Sequence, residues 1–321
     1  DHRERVQRFW QSPVIADKTG LKAVDLFDAM YDGKIKAVWI MATNPVVSLP
    51  NADKVKAALE KCELVVVSDC IADTDSSRLA HVLLPALGWG EKDGTVTNSE
   101  RCISRQRGFL PAPGAAKPDW WALAQVAQAM GFKGFDYQGP ADVFREHAEL
   151  SAFENDSALP SGLRDFNIGG LAKLDNDEYN TLQPVQWPVL TADSTGTERL
   201  FAEGQFFTPD RLARFIPLSH RAPVNAPTPD YPFVLNTGRI RDQWHTMTRT
   251  GLTPRLLQHI GEPFAELHPD DAKKLSINAG DLVVLRSSWG EAVARVQINE
   301  GQRLGSVFMP MHWTGVLTSH S

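Results

Sequence analysis

The chain has 321 residues, 33 Lys+Arg against 39 Asp+Glu for a net charge of −6, and 42% hydrophobic residues. That length predicts roughly two domains. The acidic balance argues against a nucleic-acid partner, which calls for an extended basic face, and no apolar run approaches the roughly 18 residues of a membrane span. Cys62, Cys70 and Cys102 are odd in number, at spacings of 8 and 32, and form no CxxC pair. Neither a zinc site nor an iron–sulfur cluster is therefore expected among them, and reduced thiols in a cytoplasmic setting are expected. The chain opens on Asp1 rather than Met, shows no secretory leader, and closes on Thr318-Ser319-His320-Ser321 without a recognisable end signal, which reads as a fragment.

Leu21, Val24, Phe27 and Met30 stand at helical spacing, and Asp32-Gly33 predicts the stop of that helix. Ile35 to Met41 is an almost wholly apolar strand, as when both faces of a sheet are covered. It runs into Ala42-Thr43-Asn44-Pro45. A helix over Ala52 to Lys61 and a second buried strand, Leu64 to Val67 ending in Ser68-Asp69, complete a βαβ unit and predict a parallel sheet. Ligands of such sheets bind outside the carboxyl ends of strands, where Asn44, Ser68 and Asp69 fall. Asp69 has two readings: a carboxylate for a purine edge or ribose, or the cap of a helix beginning near Thr74. No G-x-G-x-x-G follows either strand, which argues against a conventional dinucleotide site.

Val82-Leu83-Leu84-Pro85 is a third strand. Gly88 to Arg101 reads as a polar, glycine-punctuated loop that brings Lys92 towards a phosphate, or leaves it a surface lysine. Lys117-Pro118-Asp119 opens a helix through Met130, with Asp119 a plausible cap. Between Phe132 and Leu190 one helix is expected, over Ala141 to Leu150. Thr191 to Tyr231, rich in Pro, Thr and Arg, reads as a connector. Beyond it the pattern turns to β: a short helix opens at Pro269-Asp270-Asp271, and Asp281 to Ser287 and Ala292 to Ile298 are strands around Trp289-Gly290. In the second of these, Ala292, Ala294, Val296 and Ile298 alternate with Val293, Arg295 and Gln297.

The densest chemistry lies in Phe233 to Gly251. A buried strand, Phe233-Val234-Leu235, is expected to stop at an Asn236-Thr237-Gly238 turn with positive φ. Arg239, Arg241, Trp244, His245, Thr246, Thr248 and Arg249 follow as donors around one aromatic ring. From Arg199 to Arg255 there are eight Arg, no Lys and four acidic residues, a net +4 within an acidic chain. Arg without Lys suits fixed, bidentate recognition of phosphate or carboxylate, so a small anionic ligand is expected.

These residues carry a family resemblance. N-T-G-R-I-R-D-Q-W-H-T (Asn236 to Thr246) resembles the cofactor-binding segment of the bis-molybdopterin guanine dinucleotide oxidoreductases, the dimethyl-sulfoxide-reductase superfamily. W-I-M-A-T-N-P (Trp39 to Pro45), V-S-D (Val67 to Asp69), H-V-L-L-P-A (His81 to Ala86), G-W-G-E-K-D-G-T-V-T-N-S-E-R (Gly88 to Arg101), K-P-D-W-W (Lys117 to Trp121) and F-M-P-M-H-W (Phe308 to Trp313) extend it in order. R-I-R-D-Q-W-H-T-M-T-R-T-G and L-S-A-F-E-N (Leu150 to Asn155) most resemble the assimilatory nitrate reductase large subunit.

The resemblance implies an α/β fold class: a parallel-sheet, Rossmann-like domain (1–190), a Pro/Arg-rich connector (191–230) and a mostly-β double-psi barrel domain (231–321) truncated at its C-terminus. It implies Mo-bis(molybdopterin guanine dinucleotide) as cofactor, contacted by Asn44, Ser68, Asp69, Lys92, Asp119, Thr237, Gly238, Arg239, Ile240, Arg241, Asp242, Gln243, Trp244, His245, Thr246 and Met311. Asp69 would hold a guanine edge and Lys92 a pyrophosphate or pterin. Cys102 stands where the family pattern places a second arginine after Arg101. The cysteines of a 4Fe–4S cluster and the molybdenum ligand would precede Asp1, so no residue here is assigned to catalysis or to a metal. The implied activity is two-electron reduction of nitrate, fed by a reductase subunit or domain, ferredoxin or flavodoxin, with this chain inactive alone. The alternatives are a formate dehydrogenase or periplasmic nitrate reductase of the same superfamily, or a non-catalytic dinucleotide-binding module.

Overall fold

A computed structural model of the chain describes residues 2–155, 164–315 and 317. Asp1 and Thr318 to Ser321, the chain ends weighed above, lie outside the described residues. In chain order the helices and strands are α1 (His2–Phe9), α2 (Ala23–Tyr31), β1 (Ala37–Met41), α3 (Pro45–Ser48), α4 (Ala52–Lys61), β2 (Leu64–Asp69), β3 (Val82–Pro85), β4 (Gly94–Thr97), β5 (Cys102–Gln106), α5 (Asp119–Ala129), α6 (Pro140–Ala152), α7 (Asn176–Thr181), β6 (Val185–Gln186), β7 (Val234–Gly238), α8 (Pro254–Leu257), β8 (Phe264–Leu267), α9 (Pro269–Leu275), β9 (Leu282–Arg286), β10 (Glu291–Ile298) and β11 (Ser306–Pro310).

The chain folds into two compact units, each discontinuous in sequence: residues 1–21 with 85–217, and residues 22–84 with 218–321. The division expected from the sequence ran along the chain, with boundaries near 190 and 231. Within the second compact unit the βαβ segment packs with the C-terminal β segment.

That second unit holds a three-stranded sheet in the order β1-β2-β3. β1 and β2 are parallel, registered from Ala37 opposite Leu64 to Met41 opposite Ser68. This register sets the ends of both strands side by side, so Asn44 and Asp69 emerge at one sheet edge. α4 starts where the Asn51 side chain accepts the Lys54 N–H at 3.3 Å, satisfying one of the helix's orphan donors. α2 ends before Gly33, whose φ of 76° is the left-handed stop glycine supplies cheaply. Phe27, Met30, Val55, Leu59, Val65 and Val67 close a common core between helices and sheet.

The same unit contains a five-stranded mixed sheet in the order β7-β11-β8-β10-β9. Along β10, Ala294 and Val296 are buried and Val293, Arg295 and Gln297 exposed, the alternation expected from the sequence. Among the described residues β7 pairs only with β11, opposite Ser306 to Pro310. Being an edge strand, it leaves Val234 and Leu235 about half exposed, at 48% and 52%, where burial was expected. The strand also runs through Asn236 and Thr237 to Gly238 instead of turning there. Glycine at 238 leaves room for a close approach: a Cβ would sit 3.1 Å from the Phe308 ring, a tight contact.

The first unit is built on the antiparallel sheet β4-β5-β6, and Ile103, Phe144, Ala148, Ile168, Tyr179 and Val189 form its core. The expected polar loop from Gly88 to Arg101 is interrupted by a 3₁₀ turn, Trp89–Glu91, and by β4, and α7 and β6 add elements to a stretch where one helix was expected. Residues 191–217 of the connector belong to this unit and 218–231 to the other. The eight arginines are divided likewise, with Arg199, Arg211 and Arg214 in the first unit and the other five in the second.

Candidate functional site: strand ends and a donor loop

Within the second unit, the edge where β1 and β2 end is organised by Asn44. The chain leaves β1 through Ala42 in the left-handed region (φ 55°) and enters α3 at Pro45, with Asn44 in the N-cap position. Asn44 is buried. Its Oδ1 accepts the Ser76 N–H at 3.2 Å and the Ser76 hydroxyl at 2.6 Å, and its Nδ2 donates to Thr248 Oγ1 at 3.3 Å. Ser68, also buried, accepts the Trp39 indole N–H at 2.8 Å. Both side chains are thus engaged within the protein and fix the shape of the strand ends.

Asp69 differs. One carboxylate oxygen accepts the Ile71 N–H at 3.0 Å, closing a local turn. No helix begins near Thr74: Thr74 and Ser77 instead exchange backbone-to-hydroxyl bonds at 2.7 and 3.0 Å, and only a single 3₁₀ turn, Ser77–Leu79, follows. The capping reading of Asp69 therefore falls. Beside it, desolvation pushes the Cys70 thiol up, the Asp69 carboxylate adds to this, and the Arg249 guanidinium opposes it. Arg249 accordingly acts on the same patch as Asp69.

The donor loop follows β7. Its turn falls later than expected, at His245 (φ 42°) and Met247 (φ 59°), both in the left-handed region, a conformation that side chains other than glycine hold only where packing over-determines it. The buried Met247 supplies that packing, in a cluster with Ile240, Phe264 and Trp313. Arg239 lies over the Trp244 ring at 4.4 Å, and Trp244 meets the His245 ring edge-on at 4.3 Å. Arg241 forms a two-pronged bond with Asp242 at 3.1 Å for each arm, and His259 reaches the same carboxylate. The Arg241 guanidinium holds the Asp242 carboxyl below its usual range. The positive character expected of the loop therefore rests on Arg239 and Arg249 more than on Arg241. Thr237 lies in β7 opposite Met309, and the Met311 N–H donates to the Gly238 carbonyl at 3.0 Å.

His312, left-handed at φ 72°, has its pKa lowered by burial, a hydrogen bond with the Val47 backbone opposing and His245 adding to the shift. The folded chain thus holds His312 neutral where the unfolded chain would protonate it. Its contribution to stability is complete above about pH 6.5 and is lost as pH falls through that value towards the depressed folded pKa. Chemical denaturation between pH 8 and 5 should show this decline, and His312→Gln should flatten it.

In the first unit, Lys92 donates to Asp119 at 2.9 Å, with both side chains about a third exposed. Asp119 is the first residue of α5, and Pro118 holds the N-cap position without a side-chain cap. The pair is thus brought together as an ion pair rather than as a lone cation and a cap. Arg101, φ 70°, donates to the Thr197 and Glu198 carbonyls at 3.0 and 3.1 Å and to that of Trp187, which holds the connector in place. Cys102 follows it as the first residue of β5.

Two donors bear on what the loop would bind. Gln243 Nε2 and Trp313 Nε1 are buried and have no hydrogen-bond partner among the described residues. A buried unmade hydrogen bond costs about 1–3 kcal/mol, so both sites suit a ligand rich in acceptor oxygens. With Asp69 as an acceptor for N–H groups and Arg249 and Arg239 as cations, this set fits a guanine nucleotide. Sequence reasoning had placed Thr248 and Arg249 among the donors; it missed Ser76 and Thr250, whose only signal was a run of hydroxyl residues.

Comparison with known proteins gives the following. A family model described as molybdopterin oxidoreductase matches residues 4–129, and one described as molydopterin dinucleotide binding domain matches residues 233–321. A nitrate reductase of Klebsiella oxytoca is 51% identical over 98% of this chain and 35% of its own length. The assimilatory nitrate reductase catalytic subunit of Bacillus subtilis is 33% identical over 98% of the chain and 42% of its own. An F420-dependent formate dehydrogenase subunit alpha of Methanocaldococcus jannaschii is 35% identical over 96% and 42%. The chain thus spans between a third and a half of the length of these relatives. Among solved structures, acetylene hydratase from Pelobacter acetylenicus matches with a TM-score of 0.65 at 18% identity, covering 97% of this chain and 42% of that one, a likeness of fold alone.

Proposed function

Because this chain belongs to the molybdopterin oxidoreductases, we propose that it is the cofactor-holding portion of a nitrate reductase. The observation that carries this reading is the 51% identity to a nitrate reductase sustained over 98% of the chain. In this reading the Mo-bis(molybdopterin guanine dinucleotide) cofactor is held by Asp69 at a guanine edge, by the donors of 237–246 and by Met311, while Asn44 and Ser68 shape the strand ends. Lys92 and Asp119, an ion pair within the first unit, are proposed as cofactor contacts in their own right. When bound, the group supplies a metal that changes oxidation state by two units, as reduction of nitrate to nitrite requires.

The mixed five-stranded sheet would belong to a double-psi barrel, and the family modules would divide at 190 and 231 in sequence. A 4Fe–4S cluster, an electron-donating reductase, ferredoxin or flavodoxin, and a cytoplasmic location complete the proposal for the parent enzyme. Among the described residues no helix is long and apolar enough to cross a membrane.

Two preparations test the reading. The parent enzyme, given reduced viologen, should form nitrite from nitrate and leave formate untouched. The 321 residues alone should form none, since they span only 35% of the Klebsiella relative. Formate oxidation without nitrate reduction would instead assign the chain to the formate dehydrogenases, among which lies the relative at 35% identity.

A further inference from the structure

A chain of polar groups crosses the second unit from the start of α3 to the donor loop, and its directions can be assigned group by group. The Val46 N–H donates to Ser76 Oγ at 3.2 Å. The Ser76 hydroxyl and N–H both donate to Asn44 Oδ1, at 2.6 and 3.2 Å. The Asn44 oxygen is thereby fixed towards Ser76, and the amide Nδ2 faces Thr248 Oγ1 at 3.3 Å and Asp75 Oδ2 at 3.5 Å. An amide NH₂ can only donate, so Thr248 accepts from Asn44 and must place its own hydrogen elsewhere. Thr246 Oγ1 lies 2.6 Å away. The opposite order, Thr246 donating to Thr248, would leave the Thr248 hydrogen without an acceptor among the described residues.

We propose that Asn44 is a positioning residue that polarises Thr248 and so presents the Thr246 hydroxyl as a donor to a phosphate oxygen of the bound nucleotide. The inference rests on the reading above, in which residues 237–246 face a guanine dinucleotide, and adds to it a direction and a residue acting at a distance. Asn44 then need not touch the ligand. Linked hydrogen bonds reinforce one another in a low-dielectric setting, and a hydroxyl whose lone pair is already used by Thr248 is a better donor to an anion.

Calorimetric titration of the 321-residue chain with guanosine diphosphate, and separately with guanosine, tests this. Thr246→Val should weaken diphosphate binding about tenfold, the scale of one hydrogen bond to a charged group. Thr248→Val should weaken it comparably, and Thr248→Ser, which keeps the hydroxyl, should stay within about twofold of the parent. The Thr246→Val/Thr248→Val double variant should lose no more than either single one, because the two act in series. Asn44→Asp, which accepts where the amide donates, should weaken binding in the parent and have no further effect in the Thr248→Val background. A through-space charge effect of the new carboxylate would persist there.

Guanosine affinity should be unchanged throughout. Additive losses at Thr246 and Thr248, failure of serine to rescue, or equal losses for guanosine would overturn the proposal. A parent chain that binds neither ligand would overturn the underlying reading as well, whereas a parent that binds with indifferent variants sinks the relay alone. The threonine variants decide the matter even if Asn44→Asp, at a buried site, does not fold.

Discussion

Asp69→Ala in the parent enzyme is expected to lower guanine dinucleotide retention by about one to two orders of magnitude. That range is the loss of one charged hydrogen-bond partner, roughly 1.5–3 kcal/mol. Alanine also removes the acceptor for the Ile71 N–H, so a second variant separates ligand from turn. Asp69→Asn keeps an oxygen for Ile71 but brings an NH₂ to where guanine would present its own N–H groups. Asparagine should therefore bind as poorly as alanine while leaving thermal unfolding near that of the parent. Full molybdenum and guanine content in purified Asp69→Asn would return Asp69 to a purely local role at the strand end.

Met247→Ala should have the largest effect on stability of any change in the donor loop. Met247 is 2% exposed and packs with Ile240, Phe264 and Trp313 while its backbone is left-handed. Truncating a buried methionine costs about 2–5 kcal/mol, and here the lost packing is also what holds the loop's conformation. Urea denaturation should show the loss at the midpoint, with the slope unchanged. Nucleotide binding should fall at temperatures where the variant is still folded, because the loop loosens before the unit melts. Met247→Leu, similar in volume, should recover most of both. A stable variant with unaltered binding would mean that the loop is held elsewhere.

Much of this arrangement was legible in the residues because strands of a parallel sheet read as near-continuous apolar runs, although in β1 only Ile40 is buried. Ile35 to Met41 and Leu64 to Val67 are such runs, and the strands between Ala37 and Asp69 follow from them. The alternation in Ala292 to Ile298 was equally plain. Gly238 misled because glycine has two uses: the sequence suggests a turn, whereas the structure uses its missing side chain to admit Phe308. The real turn sits on His245 and Met247, residues that no turn preference would select. Local periodicity also has no access to which distant segments pack together, so the joining of 22–84 to 218–321 was not visible. For the same reason Asn44 was legible as a strand-end residue, but its bonds to Ser76 and Thr248, 32 and 204 residues away, were not.

The central claim is that the end of β2 and the loop after β7 form one nucleotide site. Amide hydrogen exchange on the 321-residue chain, with and without saturating guanosine diphosphate, tests it most directly. Binding should slow exchange together in two separated stretches, 69–76 and 239–250, with the same dependence on ligand concentration. Protection of one stretch without the other, or of neither at saturation, would contradict the account.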